Sequence, residues 1–393
     1  DSPASGRKLS AAAAAKLRRS AETALRENWT GRDGMLLYAG KSPSTIALEK
    51  PRENFELWLE WRSQGEAGLG VRSLPLVRLG GAGTTVRTAD GFVEDVPASD
   101  NAAGEWNTLY VKVSDDRITV VENGVTVVGN RTMENLREPG MPVDVTGTVW
   151  IAGLGSPVEL RDMWLRELPS TPLYELSEEE RAEGFELLFD GRSLHKWTGN
   201  KVNYVPLDGT IDVTASYGGG GNLYTKKEYG DFILRFEFRF LHEAVNNGIG
   251  IRTPMGVDAA FDGMEIQVLD HDAPIYRDLH AYQQHGSVYG VIAAKRVVFP
   301  PLGEWNVEEI RAVGDHITVT VNGEVILDGN IREACQGHAV APDGGTENPY
   351  MIDHRNHPGL FNKRGHIAFC GHGAGIQFRR VRILDLSPEA DAK

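Results

Sequence analysis

The sequence predicts an all-β protein built as two copies of one fold, and three observations lead there. Short apolar runs are separated by turn residues throughout, with 45 glycines and 19 prolines in 393 residues. Many of those runs alternate apolar and polar side chains, the period of a half-buried strand. A set of anchors also recurs at one spacing. Gly104-Glu105-Trp106-Asn107 returns as Gly303-Glu304-Trp305-Asn306, Ile118-Thr119-Val120 as Ile317-Thr318-Val319, and Asn123-Gly124 as Asn322-Gly323, all 199 positions apart. Residues 68–72 (Gly-Leu-Gly-Val-Arg) match 248–252 (Gly-Ile-Gly-Ile-Arg), and 158–168 match 376–386.

The elements follow in order. Ser10 is an N-cap, and Leu17, Ala21, Ala24 and Leu25 form a narrow apolar stripe, so a helix is expected to pack on a sheet. From about Gly34 the period changes to two, with Phe55, Leu57, Leu59 and Trp61 on one face of a strand. Asn123-Gly124 is the strongest short signal for a type I′ hairpin. Residues 169–176, opening Pro-Ser-Thr-Pro, read as a linker between a first copy over 1–168 and a second over 177–393. Ser177 and Glu180 make a capping box for a short helix that Gly184 ends.

Composition excludes several classes. With 41 basic and 55 acidic residues the net charge is −14, which repels phosphate backbones and leaves no place for nucleic acid. No apolar run approaches the roughly 20 residues of a membrane span. Ala11 to Ala15 is too short for the apolar core of a signal peptide and runs directly into Lys16, Arg18 and Arg19. Two cysteines, Cys335 and Cys370, are too few for a disulfide framework, and Cys370 reads as a buried free thiol. No P-loop, dinucleotide fingerprint or Gly-x-Ser-x-Gly elbow is present, so no cofactor is evident.

The copies differ in length in two places. Arg72 and Gly104 are separated by 31 residues, Arg252 and Gly303 by 50. The added length holds residues 263–270, Gly-Met-Glu-Ile-Gln-Val-Leu-Asp, a strand with Ile266 and Val268 on one face and Glu265 and Gln267 on the other. Asp270 ends it, and His285 precedes the run Gly-Ser-Val-Tyr-Gly at 286–290. Residues 335–364 form a second long excursion with His338, His354 and His357. Loops of that length in a β domain are usually functional, so chemistry is assigned to the second copy. Glu265, His285 and His372 are the candidate catalytic residues; imidazole titrates near neutrality, and both histidines sit beside glycine. Arg252, Gln267, Asp270 and Tyr289 are the candidate substrate-binding residues, with Arg252 expected to face Glu265. His271, His280 and His285 lie among Asp270, Asp272 and Asp278 without a standard zinc spacing; an open divalent-metal site there is compatible with the sequence.

At these residues the chain resembles the 3-keto-disaccharide hydrolase family. The resemblance is carried by residues 184–191 (Gly-Phe-Glu-Leu-Leu-Phe-Asp-Gly) with Trp197, by 231–234, 247–249, 263–270, 286–290, Trp305-Asn306 and Asn322-Gly323, and by 365–379 through His372-Gly373. It covers about 184–386, and the first copy resembles a degenerate relative. It implies two concanavalin-like jelly-roll β-sandwiches in tandem with ligand on a concave face, and a secreted or periplasmic location. It also implies a sugar oxidised at C3 by a separate sugar 3-dehydrogenase. A C3 ketone acidifies the C2 proton, so a base, an acid for the leaving oxygen and an electrophile for the enolate would suffice; a divalent metal suits the last role. Two rivals stand beside this. Laminarinase-type glucanases carry carboxyls at the positions of Glu265, Gln267 and Asp270, where the amide breaks the pattern. Alternatively both copies bind carbohydrate without turnover, with Trp58, Trp61 and Trp197 as stacking platforms.

Overall fold

The computed structural model describes residues 10–387 except 73–75, 81–82, 89–90, 95–100, 137, 139–140 and 214–220. Contacts divide the chain into Asp1–Ser170 and Thr171–Lys393, each with its own core. Each unit is two antiparallel sheets packed face to face, of seven and six strands in the first and eight and five in the second. The expectation of an all-β protein with a few short helices is met.

Alternation decides what each strand buries. Along Phe55–Ser63, Phe55, Leu57, Leu59 and Trp61 enter the first core, and along Phe232–Phe240 the matching Phe232, Leu234, Phe236 and Phe238 enter the second. Each such side chain contributes about 1.5–3 kcal/mol on burial. The two units also share their polar fastenings. Asn123 and Asn322 sit in left-handed backbone (φ 48° and 50°) ahead of Gly124 and Gly323, which are left-handed too, as a type I′ turn requires. Each Asn accepts from the strand opposite, Thr108 N–H at 2.9 Å and Val307 N–H at 2.9 Å, and donates to Asn107 or Asn306 at 2.8 Å.

One expectation changes. The stripe of the first helix, Ala11–Asn28, does not pack under a sheet; Leu17 and Leu25 remain 44 % and 38 % exposed. The stretch 169–176 contains the boundary between the units and is fastened on both sides of it. Asn54 holds the Pro169 carbonyl at 3.0 Å within the first unit, and Tyr174 N–H donates to the Asp190 carbonyl at 2.9 Å within the second. The capping box of Ser177 and Glu180 forms as expected, with Gly184 left-handed at the helix end. No helix among the described residues is long and apolar enough to cross a membrane.

Candidate active site

The five-stranded sheet of the second unit turns Ile249, Ile251, Ile266, Val268, Ile367 and Phe369 into the core. Their neighbours in sequence therefore lie on its outer face, and the register sets them in two rows. One runs Tyr224, Ala368, Gly250, Glu265; the other runs Cys370, Gly248, Gln267. Residues 286–289 add to the free edge of Met264–Leu269. Gln267 N–H donates to the Ser287 carbonyl at 3.0 Å and Tyr289 N–H to the Glu265 carbonyl at 2.9 Å, around a bridge from Ile266 to Val288. Tyr289 thereby extends the Glu265 row.

The two glycines make a bare floor. A Cβ on Gly248 would overlap the Glu265 carboxyl, so the side chain can lie flat only because that position is glycine. Glu265 and Gln267 are 4 % and 5 % exposed, so this face is covered rather than solvated. Gln267 Nε2 donates to Asn246 Oδ1 at 2.8 Å, and Gln283 Nε2 donates to the Tyr289 hydroxyl at 3.2 Å. Tyr224 accepts from Gly256 N–H at 3.1 Å and Asn222 Nδ2 at 3.2 Å, which leaves its O–H free to donate.

His372 completes the centre. It lies two residues past the strand His366–Cys370, on the same side as Cys370, with Nε2 2.9 Å from Glu265 Oε1. A carboxylate can only accept, so Nε2 carries the proton. This bond raises the His372 pKa above the ordinary histidine value; desolvation opposes it, and the charges of Glu265 and Asp258 reinforce it. The ring is 44 % exposed and can pass a proton outward. Beside it, burial and then the Glu265 charge push the Cys370 thiol well up, so it is neutral as it stands. Donor atoms of Glu265, Cys370 and His372 lie within 4.8 Å of one another. Carboxylate, thiolate and imidazole form a set suited to zinc or a similar borderline divalent ion, so the residues fit a metal.

The structure gathers Glu265, Gln267, Tyr289 and His372 and sends three other candidates elsewhere. His285 is fully buried between Phe238 and Phe299; its Nδ1 accepts from Leu269 N–H at 3.2 Å and its Nε2 faces Glu308 Oε2 at 3.2 Å. It belongs to the core, on the opposite side of the Glu265 strand. Arg252 does not face Glu265. It is left-handed (φ 50°), buried, and bonded to the carbonyls of Gly230 and Gly314 and to Asp231. Asp270 accepts from Ala244 N–H at 2.9 Å and shapes a turn. The residues of the open metal site that the sequence left room for, His271, His280 and His285, are not brought together: His271 and His285 are core residues and His280 stands at the start of a surface turn.

Sequence reasoning undervalued Cys370, whose step of two to His372 already put both on one face, and passed over Tyr224, Asn246 and Gln283. Those three arrive by register and loop closure, which leave no local signal.

The profile of the 3-keto-alpha-glucoside-1,2-lyase-like domain matches residues 18–166 and 184–384. The chain belongs to this family. It is a glycoside-acting enzyme of the 3-keto-disaccharide hydrolase type. A curated relative, the 3-keto-disaccharide hydrolase of Bacteroides thetaiotaomicron, is 27 % identical over 237 residues, which cover 52 % of this chain and 80 % of that one. Among solved structures, a protein from Parabacteroides distasonis provisionally named a glycosyl hydrolase is 23 % identical with a TM-score of 0.43, over 51 % of this chain and 99 % of the other. A Bacillus subtilis protein of unknown function with a galectin-like fold is 12 % identical with a TM-score of 0.30, over 55 % and 94 %.

Proposed function

We propose that the second unit cleaves 3-keto-glycosides by proton removal at C2, elimination at C1 and hydration. The observation that carries this is the Glu265–His372 contact at 2.9 Å on the glycine floor. Glu265 takes the C2 proton, which the C3 ketone acidifies; the C2–H electrons form the enolate. As C1–O breaks and C1=C2 forms, protonated His372 gives its proton to the leaving oxygen. Water then adds hydroxide to C1 and a proton to C2, for net hydrolysis. The Tyr224 and Tyr289 hydroxyls and the Gln267 amide flank Glu265 and would orient the sugar and receive enolate charge by hydrogen bonding. In an alternative, metal-loaded form of the site, Glu265, Cys370 and His372 would hold a divalent ion that supplies Lewis acidity for the C3 oxygen; Glu265 and His372 would then be ligands rather than the free base and acid of the route above.

A retaining glycosidase would need a second carboxyl about 5–5.5 Å from the first. The partner of Glu265 is an imidazole, and the Asp270 carboxylate is engaged with Ala244, which favours the keto route. The proposed substrate requires a sugar 3-dehydrogenase upstream, and the enzyme would work where such sugars are processed, in the periplasm or outside the cell. The test is turnover of a 3-keto-glucoside in deuterium oxide, against an enzyme-free control. Deuterium at C2 of the released sugar is expected; full retention of the C2 hydrogen would sink the elimination route.

A further inference from the structure

In the first unit the outer face of the seven-stranded sheet carries an aromatic row. Trp164, Trp58 and Tyr110 are direct cross-strand partners. The two indoles stack with centroids 4.0 Å apart and planes 9° from parallel, and Tyr110 lies 4.9 Å from Trp58. Trp164 is 55 % exposed. The strand that pairs with the other side of Val158–Glu167 reaches only residues 158–160, so among the described residues no strand pairs there beside Trp164.

The scaffold does not require this row. The same three positions in the second unit hold Arg382, Arg235 and Glu309, which are identified by register. There Arg235 pairs with Glu309 at 2.6 Å, and Arg382 pairs with Glu180 of the capped helix laid beside them. A row of ordinary ion pairs has become an open row of aromatics.

A cavity of about 290 Å³ runs along it, lined by the three aromatics and by Glu60, Thr108 and Asp162; Glu60 and Thr108 are cross-strand partners two residues along from Trp58 and Tyr110, the next row on the same face. Two fixed carboxylate–guanidinium pairs flank the row. Arg166 Nε donates to Glu56 at 2.7 Å on one side, and Arg161 Nε donates to Glu60 at 2.6 Å on the other. Tyr110 donates to Glu56 at 2.9 Å, and burial, with that carboxylate, pushes its pKa up to about 12, so it stays neutral.

We propose that this face is a second carbohydrate site, taking one or two rings of a neutral sugar. A pyranose has an apolar C–H face and a hydroxyl edge, which match the exposed ring of Trp164 at the end of the aromatic stack with a row of polar side chains beside it. The volume stands at the lower edge of the ~300–1,000 Å³ typical of small-molecule sites. The flanking guanidiniums are already neutralised and the chain is strongly acidic, which disfavours an anionic ligand. A protein partner would need roughly 800 Å² of contact on its side, far beyond one aromatic row. The site is independent of the chemistry assigned to the second unit.

The test titrates the full chain with maltotriose, cellotriose and laminaritriose up to 10 mM, about the range of weak sugar binding, and follows the indole N–H resonances by NMR. At least one sugar is expected to shift the Trp58 and Trp164 signals. Trp164→Ala, which removes a largely exposed side chain, is expected to weaken that binding about tenfold while thermal unfolding stays near wild type. Asp162→Asn is expected to weaken it with both indoles still present. Glu265→Gln leaves the Trp58 and Trp164 shifts intact, so this site and the catalytic reading fail separately. No shift with any of the three sugars, or undiminished binding by Trp164→Ala, would overturn the proposal.

Discussion

Opposite Gly250 the second unit places Glu265; opposite the matching Gly70 the first places Leu76. The rest of the face follows the same substitution. Gln267 has Arg78 as counterpart, Cys370 has Ala152, and Ala368 has Trp150, whose ring lies where a Cβ on Gly70 would stand. Two residues past Cys370 comes His372; two past Ala152 comes Leu154. Meanwhile Arg72 and Arg252 are both left-handed and both bonded to the turn entering the long central strand, through Glu53 and Asn54 or Gly230 and Asp231. What is common to both units serves the scaffold, and what is confined to the second includes the residues to which the proposed chemistry is assigned. By that test Arg252 is a pin and Glu265 is not.

The largest expected effect separates the two faces. Glu265→Gln should lower turnover of a 3-keto-glucoside by about 10²–10⁴-fold, the range for loss of an acid–base group. The counterpart change Arg78→Gln should leave kcat within about twofold, a margin of roughly 0.4 kcal/mol. Comparable losses from both would mean that the first unit contributes to the site.

A second contrast lies in the cores. Glu308 pairs with Val321 in register; in the first unit the same cross-strand pair is Leu109 and Glu122, so the buried carboxylate lies on the other strand and accepts from Trp61 Nε1 at 3.2 Å. Replacing either His285 or Glu308 alone should destabilise the protein by about 3–5 kcal/mol, because one buried polar group loses its partner. The double change to leucines, which removes both buried polar groups together, should recover most of that loss in denaturant unfolding. If His285→Leu instead unfolds normally and abolishes turnover, His285 is catalytic and its placement here is wrong.

Matched pins should fail alike. Arg72→Ala and Arg252→Ala each strand buried carbonyls and should each cost on the order of 1–3 kcal/mol, visible as a lower melting temperature. A selective loss of kcat in Arg252→Ala, without a melting shift, would return Arg252 to the substrate.

The smallest effect is in pH. His372 has a raised pKa, so its protonated form and its pairing with Glu265 persist above the pH at which a free histidine deprotonates, and are lost as pH rises through the raised value. If it acts as the acid, the alkaline limb of kcat should lie above about pH 6.5, the ordinary histidine value. Glu265→Gln removes the cause and should move the His372 ring titration, followed by NMR, to lower pH. An unchanged titration would separate the two residues.

Much of this was legible in the chain itself, for local reasons. Alternation specifies which side chains of a strand enter the core, and Asn-Gly specifies its hairpin because both residues must be left-handed. Anchors 199 positions apart mark two copies of one fold. Glu265 and Gln267 could be singled out because they share one face of a strand in the length added to the second copy, and His372 because glycines flank it at a strand end. Tertiary structure decided the rest. A period of two tells that Glu265 and Ile266 face opposite ways, but not that loops will cover the polar side. It does not tell that Cys370 and His372 arrive across two strands, while His285, equally polar and equally near glycine, turns inward to Glu308. Nor does it distinguish Trp61 and Trp197, sealed in the cores, from Trp58, which stands beside an open Trp164. Those outcomes depend on register between strands distant in sequence, and register is settled by the packing of the whole sheet.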